Sequence, residues 1–399
     1  MAFITGKTLQ GNCGSVVYTE DGHYRCGPIP DIPGVDPRAT DHINFYAKIQ
    51  GEVGEVVDLD IQYPIFDEQL CGPRKYQTKP FFTVAHRCVY VSDDELNWER
   101  VENVEVDSDA WTLRLSLTLT APVCFVSVNY FYTVKMYEEL RKYMAKADFA
   151  EEKVVGLSRD GQKIYLYKIT DTSVPEEEKK IVYLQGAQHC CEYGGPLLLD
   201  AMMRYLCGGS DEACGLLRKY EFHITPIFSV ADWAEGNKDV LLADPNTVWD
   251  TLSTPEVKAI DAYLRALDKK PALLIDLHNA RRNIILIADY LSPEQIEEQL
   301  RFASLLCEHC DYIAPDKPLS RKKEEAYATF RQYAWENYGC GFTIELSRFS
   351  FYDRAKGQEI PHSKEGFARF GMQFSHVIDA FLSGAQGKRG FFGNLLAVK

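Results

Sequence analysis

Between Asp41 and about Val134 apolar and polar residues alternate in short runs, at Ile43 to Ile49, Val56 to Ile61, Phe81 to Val91 and Trp111 to Leu119, with turn residues between them. A period of two puts successive side chains on opposite faces, so this stretch predicts antiparallel strands packed as a sandwich or barrel. From Val154 onward the pattern changes. Near-continuous apolar runs at Lys180 to Leu184, Glu221 to Pro226, Ala272 to Ile275 and Gly341 to Glu345 alternate with helical periodicity at Pro196 to Leu206, Pro255 to Leu267, Pro293 to Cys307, Glu325 to Tyr338 and Lys364 to Leu382. Strands buried on both faces read as unbroken apolar runs, so the second part predicts an α/β fold: a mixed, mostly parallel sheet covered by helices on both faces. A short helical segment, Tyr137 to Lys146, marks the change, giving an N-terminal β-sandwich domain over 1–137 and an α/β domain over 138–399.

Composition narrows the partners. The 399 residues are 46% hydrophobic, enough for two sizeable cores, and 58 acidic against 44 basic side chains give a formal net charge of −14. Phosphate binding needs dense Lys and Arg, so no nucleic acid is expected as a partner, and an acidic surface avoids anionic membranes. No apolar run reaches the ~18 residues that span a bilayer. The first residues, MAFITGKTLQGNCGS, lack a charged segment followed by an apolar core, so the expectation is a cytoplasmic protein. Twelve cysteines spread over so long a chain are expected to be mostly reduced. Nothing in the sequence sets an oligomeric state.

Four residues carry candidate chemistry. In QHCCEYGG, Gln188 to Gly195, His189 and Glu192 stand three apart, close enough to reach one metal ion from a single turn. His278 follows the apolar run Ala272 to Ile275, two residues after Asp276, where a buried strand meets the surface. Three ligands drawn from His and carboxylates leave a fourth zinc position for water. Glu345, at the end of the apolar run FTIEL, is placed to take that water's proton. Asp276 is a candidate acceptor for the second ring N–H of His278, since ligating histidines usually donate to a carboxylate or carbonyl. Taken singly, each residue also has a structural reading: His278 as a hydrogen-bonded core histidine, Glu345 as an ion-pair partner of Arg348. Cys190 and Cys191 read as packing residues between the two ligands.

The order HxxE, then DxH, then a glutamate ending a late strand resembles the M14 family of zinc carboxypeptidases, most closely its cytosolic carboxypeptidase branch. Asn129 to Leu140 (NYFYTVKMYEEL), Gly156 to Ile169 (GLSRDGQKIYLYKI), Gly236–Asn237 and Asp244 to Trp249 (DPNTVW), and His278 to Asn283 (HNARRN) are similar to further segments of that branch. The resemblance implies zinc held by His189, Glu192 and His278, general base Glu345, and release of a C-terminal amino acid from a peptide or protein tail. It also implies that Asn246 binds the substrate's terminal carboxylate. The sequence departs from the family at Thr247, which stands where an arginine anchor is expected, and at Ser229 to Asp232, in place of an NPDG turn. Arg281 and Arg282, just after His278, are candidates to supply the missing charge, or else are solvated loop arginines. The lost anchor leaves a second expectation open: an amidase or deacylase acting on a small amide without a free carboxylate.

Overall fold

The computed structural model describes residues 1–28, 44–63, 88–110, 112–235, 244–280, 283–313, 319–324 and 328–387. The chain forms two compact units, one of Met1–Glu138 together with Asp232–Leu242, the other of Glu139–Ala231 with Ala243–Lys399.

The first unit holds two five-stranded sheets. One takes β1 (Phe3–Thr5), β4 (Tyr46–Gln50), β10 (Val123–Val128), β6 (Val89–Ser92) and β7 (Glu99–Arg100) in the order β1-β4-β10-β6-β7. The other takes β2 (Val17–Tyr18), β3 (Tyr24–Cys26), β5 (Val56–Gln62), β9 (Thr112–Thr118) and β8 (Val104–Asp107) in the order β2-β3-β5-β9-β8. Alternation does what the sequence predicts: Val57, Leu59 and Ile61 pair with Leu117, Leu115 and Leu113, and all six are buried. The all-antiparallel expectation needs one correction, because β3 runs parallel to β5. Within this unit the buried ring of Trp233 packs on Tyr132 and Tyr137. Trp111 and the run 81–87 lie outside the described residues.

The second unit is built on an eight-stranded sheet. Its strands are β11 (Ala150–Leu157), β12 (Lys163–Ile169), β13 (Lys180–Gly186), β14 (Tyr220–Thr225), β15 (Leu273–Ala280), β16 (Ile284–Ala288), β17 (Leu319–Lys322) and β18 (Gly341–Ser347). They stand in the order β11-β12-β14-β13-β15-β18-β16-β17. The four central strands, β14, β13, β15 and β18, are mutually parallel, and the antiparallel pairings lie to either side. Every residue of β14 is buried and so is all of β13 after Lys180, as strands covered on both faces require.

Helices α1 (Val134–Met144), α2 (Gly194–Leu206), α3 (Asp211–Leu217), α4 (Val230–Glu235), α5 (Pro255–Arg265), α6 (Pro293–His309), α7 (Phe330–Tyr338) and α8 (Lys364–Leu382) complete the described elements, with a hairpin of β19 (Ser350–Asp353) and β20 (Gln358–Pro361). Their starts follow from capping chemistry. Thr254 and Ser292 accept from backbone N–H groups of the first turn just before a proline, and Ser292 forms a reciprocal pair with Gln295. Gly339, at φ 78°, ends α7 in the left-handed conformation that glycine adopts without strain. No helix among the described residues is long and apolar enough to cross a membrane, and their cysteines are all free.

Candidate metal centre

Strand order places the chemistry. From β13 the chain passes to β14 on one side and later to β15 on the other, so the carboxyl end of β13 is a switch point where open α/β sheets leave a crevice for ligands. His189 follows β13 by three residues, His278 lies near the end of β15, and Glu345 near the end of β18. His278 and Glu345 are direct neighbours in the parallel register, so both side chains leave the same face of the sheet.

The turn after β13 is held tightly. Ala187 sits at φ 52°, a left-handed conformation uncommon for a residue with a Cβ and a form of local strain. Phe228 and Ser229 donate their backbone N–H groups to the carbonyls of Gly186 and Ala187. The Ser229 hydroxyl, in the segment that replaces the expected NPDG turn, donates to the Gln188 carbonyl at 2.7 Å. The Glu192 N–H closes the turn onto the His189 carbonyl at 3.2 Å. Gly194 then starts α2 hard against β15, its N–H donating to Asn279 Oδ1 at 2.9 Å, where a Cβ would lie 2.5 Å from the Asn279 amide.

His189 Nδ1 lies 3.1 Å from Glu192 Oε1, His278 Nδ1 lies 2.9 Å from Glu192 Oε2, and the two Nδ1 atoms are 3.3 Å apart. Each ring turns its other nitrogen to an aspartate: His189 Nε2 to Asp244 Oδ1 at 3.1 Å and His278 Nε2 to Asp276 Oδ2 at 2.6 Å. An ionised carboxylate only accepts, so both rings carry hydrogen on Nε2 and, when neutral, present bare Nδ1 lone pairs to one another and to a third anionic group. Either protons on the rings or a bound cation satisfies such a set. Tetrahedral zinc with bonds of about 2.0–2.1 Å would separate its ligand atoms by about 3.3 Å, the spacing these side chains hold. The donor set fits zinc, and His189, Glu192 and His278 are the group among the described residues that can hold a metal ion.

Electrostatics agree with a cation site. Burial works against charge on His189, but Asp244 and Glu192 outweigh it and raise its pKa to about 9. His278 is raised well above its ordinary value by Asp276 and Glu192, again against burial. Burial would also raise Glu192, yet the two imidazoles hold it well below the usual carboxylate range. Glu345 goes the other way: burial raises it, and the pull of His278 only partly offsets this. Its carboxyl group makes no hydrogen bond among the described residues.

The other candidate residues divide. Asn246 is close by, its N–H donating to Asp244 Oδ1 at 2.9 Å, but its side-chain oxygen accepts from the Phe330 N–H at 3.2 Å at the start of α7. The Thr247 hydroxyl donates to the Asp244 carbonyl at 2.7 Å and so is used within its own turn. Arg281 and Arg282 lie outside the described residues. Cys190 and Cys191 are buried. Sequence reasoning did not connect Asp244 with His189. The only signal was an aspartate ahead of a Pro-Asn-Thr turn, and with 58 acidic residues to choose from that signal does not select it.

Comparison with known proteins follows the same lines. Residues 136–230, which include His189 and Glu192, match the family model described as zinc carboxypeptidase, Peptidase_M14. No curated protein sequence matches the chain. Among solved structures, a metallo-carboxypeptidase from Burkholderia cenocepacia is similar at 18% identity and a TM-score of 0.75, covering 96% of this chain and 99% of the other. A metallo-carboxypeptidase from Pseudomonas aeruginosa, in complex with (2-guanidinoethylmercapto)succinic acid, is similar at 16% identity and a TM-score of 0.73, covering 96% and 99%. The chain therefore has the metallo-carboxypeptidase fold, and its residues 136–230 match the zinc carboxypeptidase model.

Proposed function

We infer that this protein is a metallocarboxypeptidase that releases a C-terminal amino acid from a peptide or protein tail, with His189, Glu192 and His278 as its zinc ligands and Glu345 as its general base. One observation carries the reading: two Nδ1 atoms and a carboxylate converge, with both Nε2 atoms turned to aspartates. The motifs shared with the cytosolic carboxypeptidase branch support a place near that branch.

Zinc, when bound, polarises the scissile carbonyl and brings the pKa of water towards about 7. Glu345 accepts the proton of the attacking water and returns it to the leaving amine. Its raised pKa suits both halves, since a base poised nearer neutrality is also a competent acid. Asp276 and Asp244 hold the imidazoles in the tautomer that offers Nδ1. Arg281 and Arg282 are proposed to supply positive charge to the substrate carboxylate, and Asn246 its side-chain amide N–H groups.

One observation favours a second reading, an amidase or deacylase acting on an amide without a free terminal carboxylate. Thr247 spends its hydroxyl on its own turn and Asn246 spends its oxygen on α7, so neither replaces a bidentate guanidinium. The test pairs one peptide with its C-terminally amidated twin, using Glu345→Gln as the blank. That variant is expected to keep its zinc and lose turnover by at least about 10²-fold, the usual share of a general base. Substantial activity in it removes Glu345 as the base. Equal cleavage of both twins by the parent enzyme replaces the carboxypeptidase reading with the amidase one.

A further inference from the structure

Beneath the metal turn a line of buried polar side chains crosses from β13 to β15. The Tyr183 hydroxyl donates to Gln185 Oε1 at 2.9 Å. Gln185 Nε2 donates to Asp276 Oδ1 at 3.0 Å and to Gln188 Oε1 at 3.2 Å. Tyr183, Gln185 and Asp276 have no exposed surface, and Gln188 and His278 keep 1% and 2% of theirs. Val182 and Leu184 beside them on β13 are apolar and equally buried, so packing alone gives no reason for an amide at 185. A buried polar network is costly unless its members are satisfied, and this one is joined at a single node.

Chemistry fixes how that node points. Asp276, an acceptor, must face the NH₂ of Gln185, which leaves Oε1 to the Tyr183 hydroxyl. Gln185 and Asp276 are register partners across the parallel strands, so the bond is short and direct. The two amide hydrogens then serve different ligands. One steadies Asp276, which orients His278. The other steadies Gln188, whose carbonyl is gripped by Ser229 and whose neighbour in the chain is His189.

We propose that Gln185 is a positioning residue that sets the spacing of the two histidines and thereby the zinc affinity, with Tyr183 as the clamp on its amide. The proposal rests on the zinc reading above. The backbone ladders of β13 do not depend on this side chain.

The test measures zinc affinity of the full chain by competition with a chromophoric chelator, alongside melting of the metal-free protein, for the parent, Gln185→Met, Tyr183→Phe and His278→Ala. Gln185→Met is expected to weaken zinc binding roughly ten- to a hundredfold, the usual effect of losing an outer partner of a metal ligand. Tyr183→Phe leaves the amide unclamped and is expected to weaken binding by a smaller factor, with the metal-free protein still melting cooperatively. Zinc affinity within about twofold of the parent in both variants overturns the proposal. If Gln185→Met does not fold, Tyr183→Phe decides alone, and an unchanged affinity there overturns it. A parent that holds no zinc, or a His278→Ala variant that holds it as tightly as the parent, overturns the ligand assignment itself and this inference with it.

Discussion

At the scale of single residues, each histidine of the candidate site is fixed by a second contact. His189 and His278 face the cation position through Nδ1 because Asp244 and Asp276 occupy Nε2. Replacing Asp244 by Asn keeps the shape and removes the charge. It lets an amide N–H meet the ring, which favours the tautomer with hydrogen on Nδ1. Zinc affinity of Asp244→Asn, read by chelator competition, is expected to fall roughly ten- to a hundredfold; an unchanged affinity contradicts the role given to Asp244. That His189, Glu192 and His278 could share one ion was legible in the sequence, because His189 with Glu192 and Asp276 with His278 each sit in a local pattern. Asp244 and Gln185 were not. Their partners lie 55 and 91 positions away, and only the sheet brings them together.

Among elements, the central parallel strands carry the site and the helices buttress them. Gly341 opens β18 where a Cβ would lie 2.3 Å from the Cβ of Ala334 on α7, a distance that requires the helix or strand to shift. Gly341→Ala is therefore expected to cost about 1–3 kcal/mol, as overpacking of a tight core does. Denaturant unfolding checks this, and a midpoint equal to the parent's contradicts the close packing of α7 on β18. Much at this scale was readable in advance. Helical periodicity predicted α5 and α6, and α8 spans Lys364–Leu382 as its periodicity predicts. Three features were not: the parallel β3 and β5, the place of β16 beyond β18, and the excursion that carries Trp233. Each depends on pairing between distant segments, which a local pattern of apolar residues does not encode.

For the molecule as a whole, stability has a built-in acid sensitivity away from the metal. His362 follows β20 and is fully buried against Phe351 and Phe367, and burial lowers its pKa to about 3. The unfolded chain therefore binds this proton more readily than the folded one. The contribution is intact above the ordinary histidine value of about 6.5 and is lost progressively as pH falls through it towards 3. At pH 5 the loss is about 2 kcal/mol. Unfolding of the parent and of His362→Leu, compared at pH 7 and pH 5, is expected to show the variant losing about 2 kcal/mol less on acidification. Equal losses would show that His362 titrates normally in the folded protein. The fold class was visible in the sequence, because the change from period two to alternating strands and helices happens once, near α1.

The central claim is that two imidazoles and a carboxylate hold the zinc, although two cysteines lie between His189 and Glu192. X-ray absorption at the zinc edge tests it most directly. The account predicts a first shell of nitrogen and oxygen only, at about 2.0–2.2 Å, with the outer scattering of two imidazole rings. A sulfur contribution at about 2.3 Å, or the absence of imidazole scattering, would contradict it.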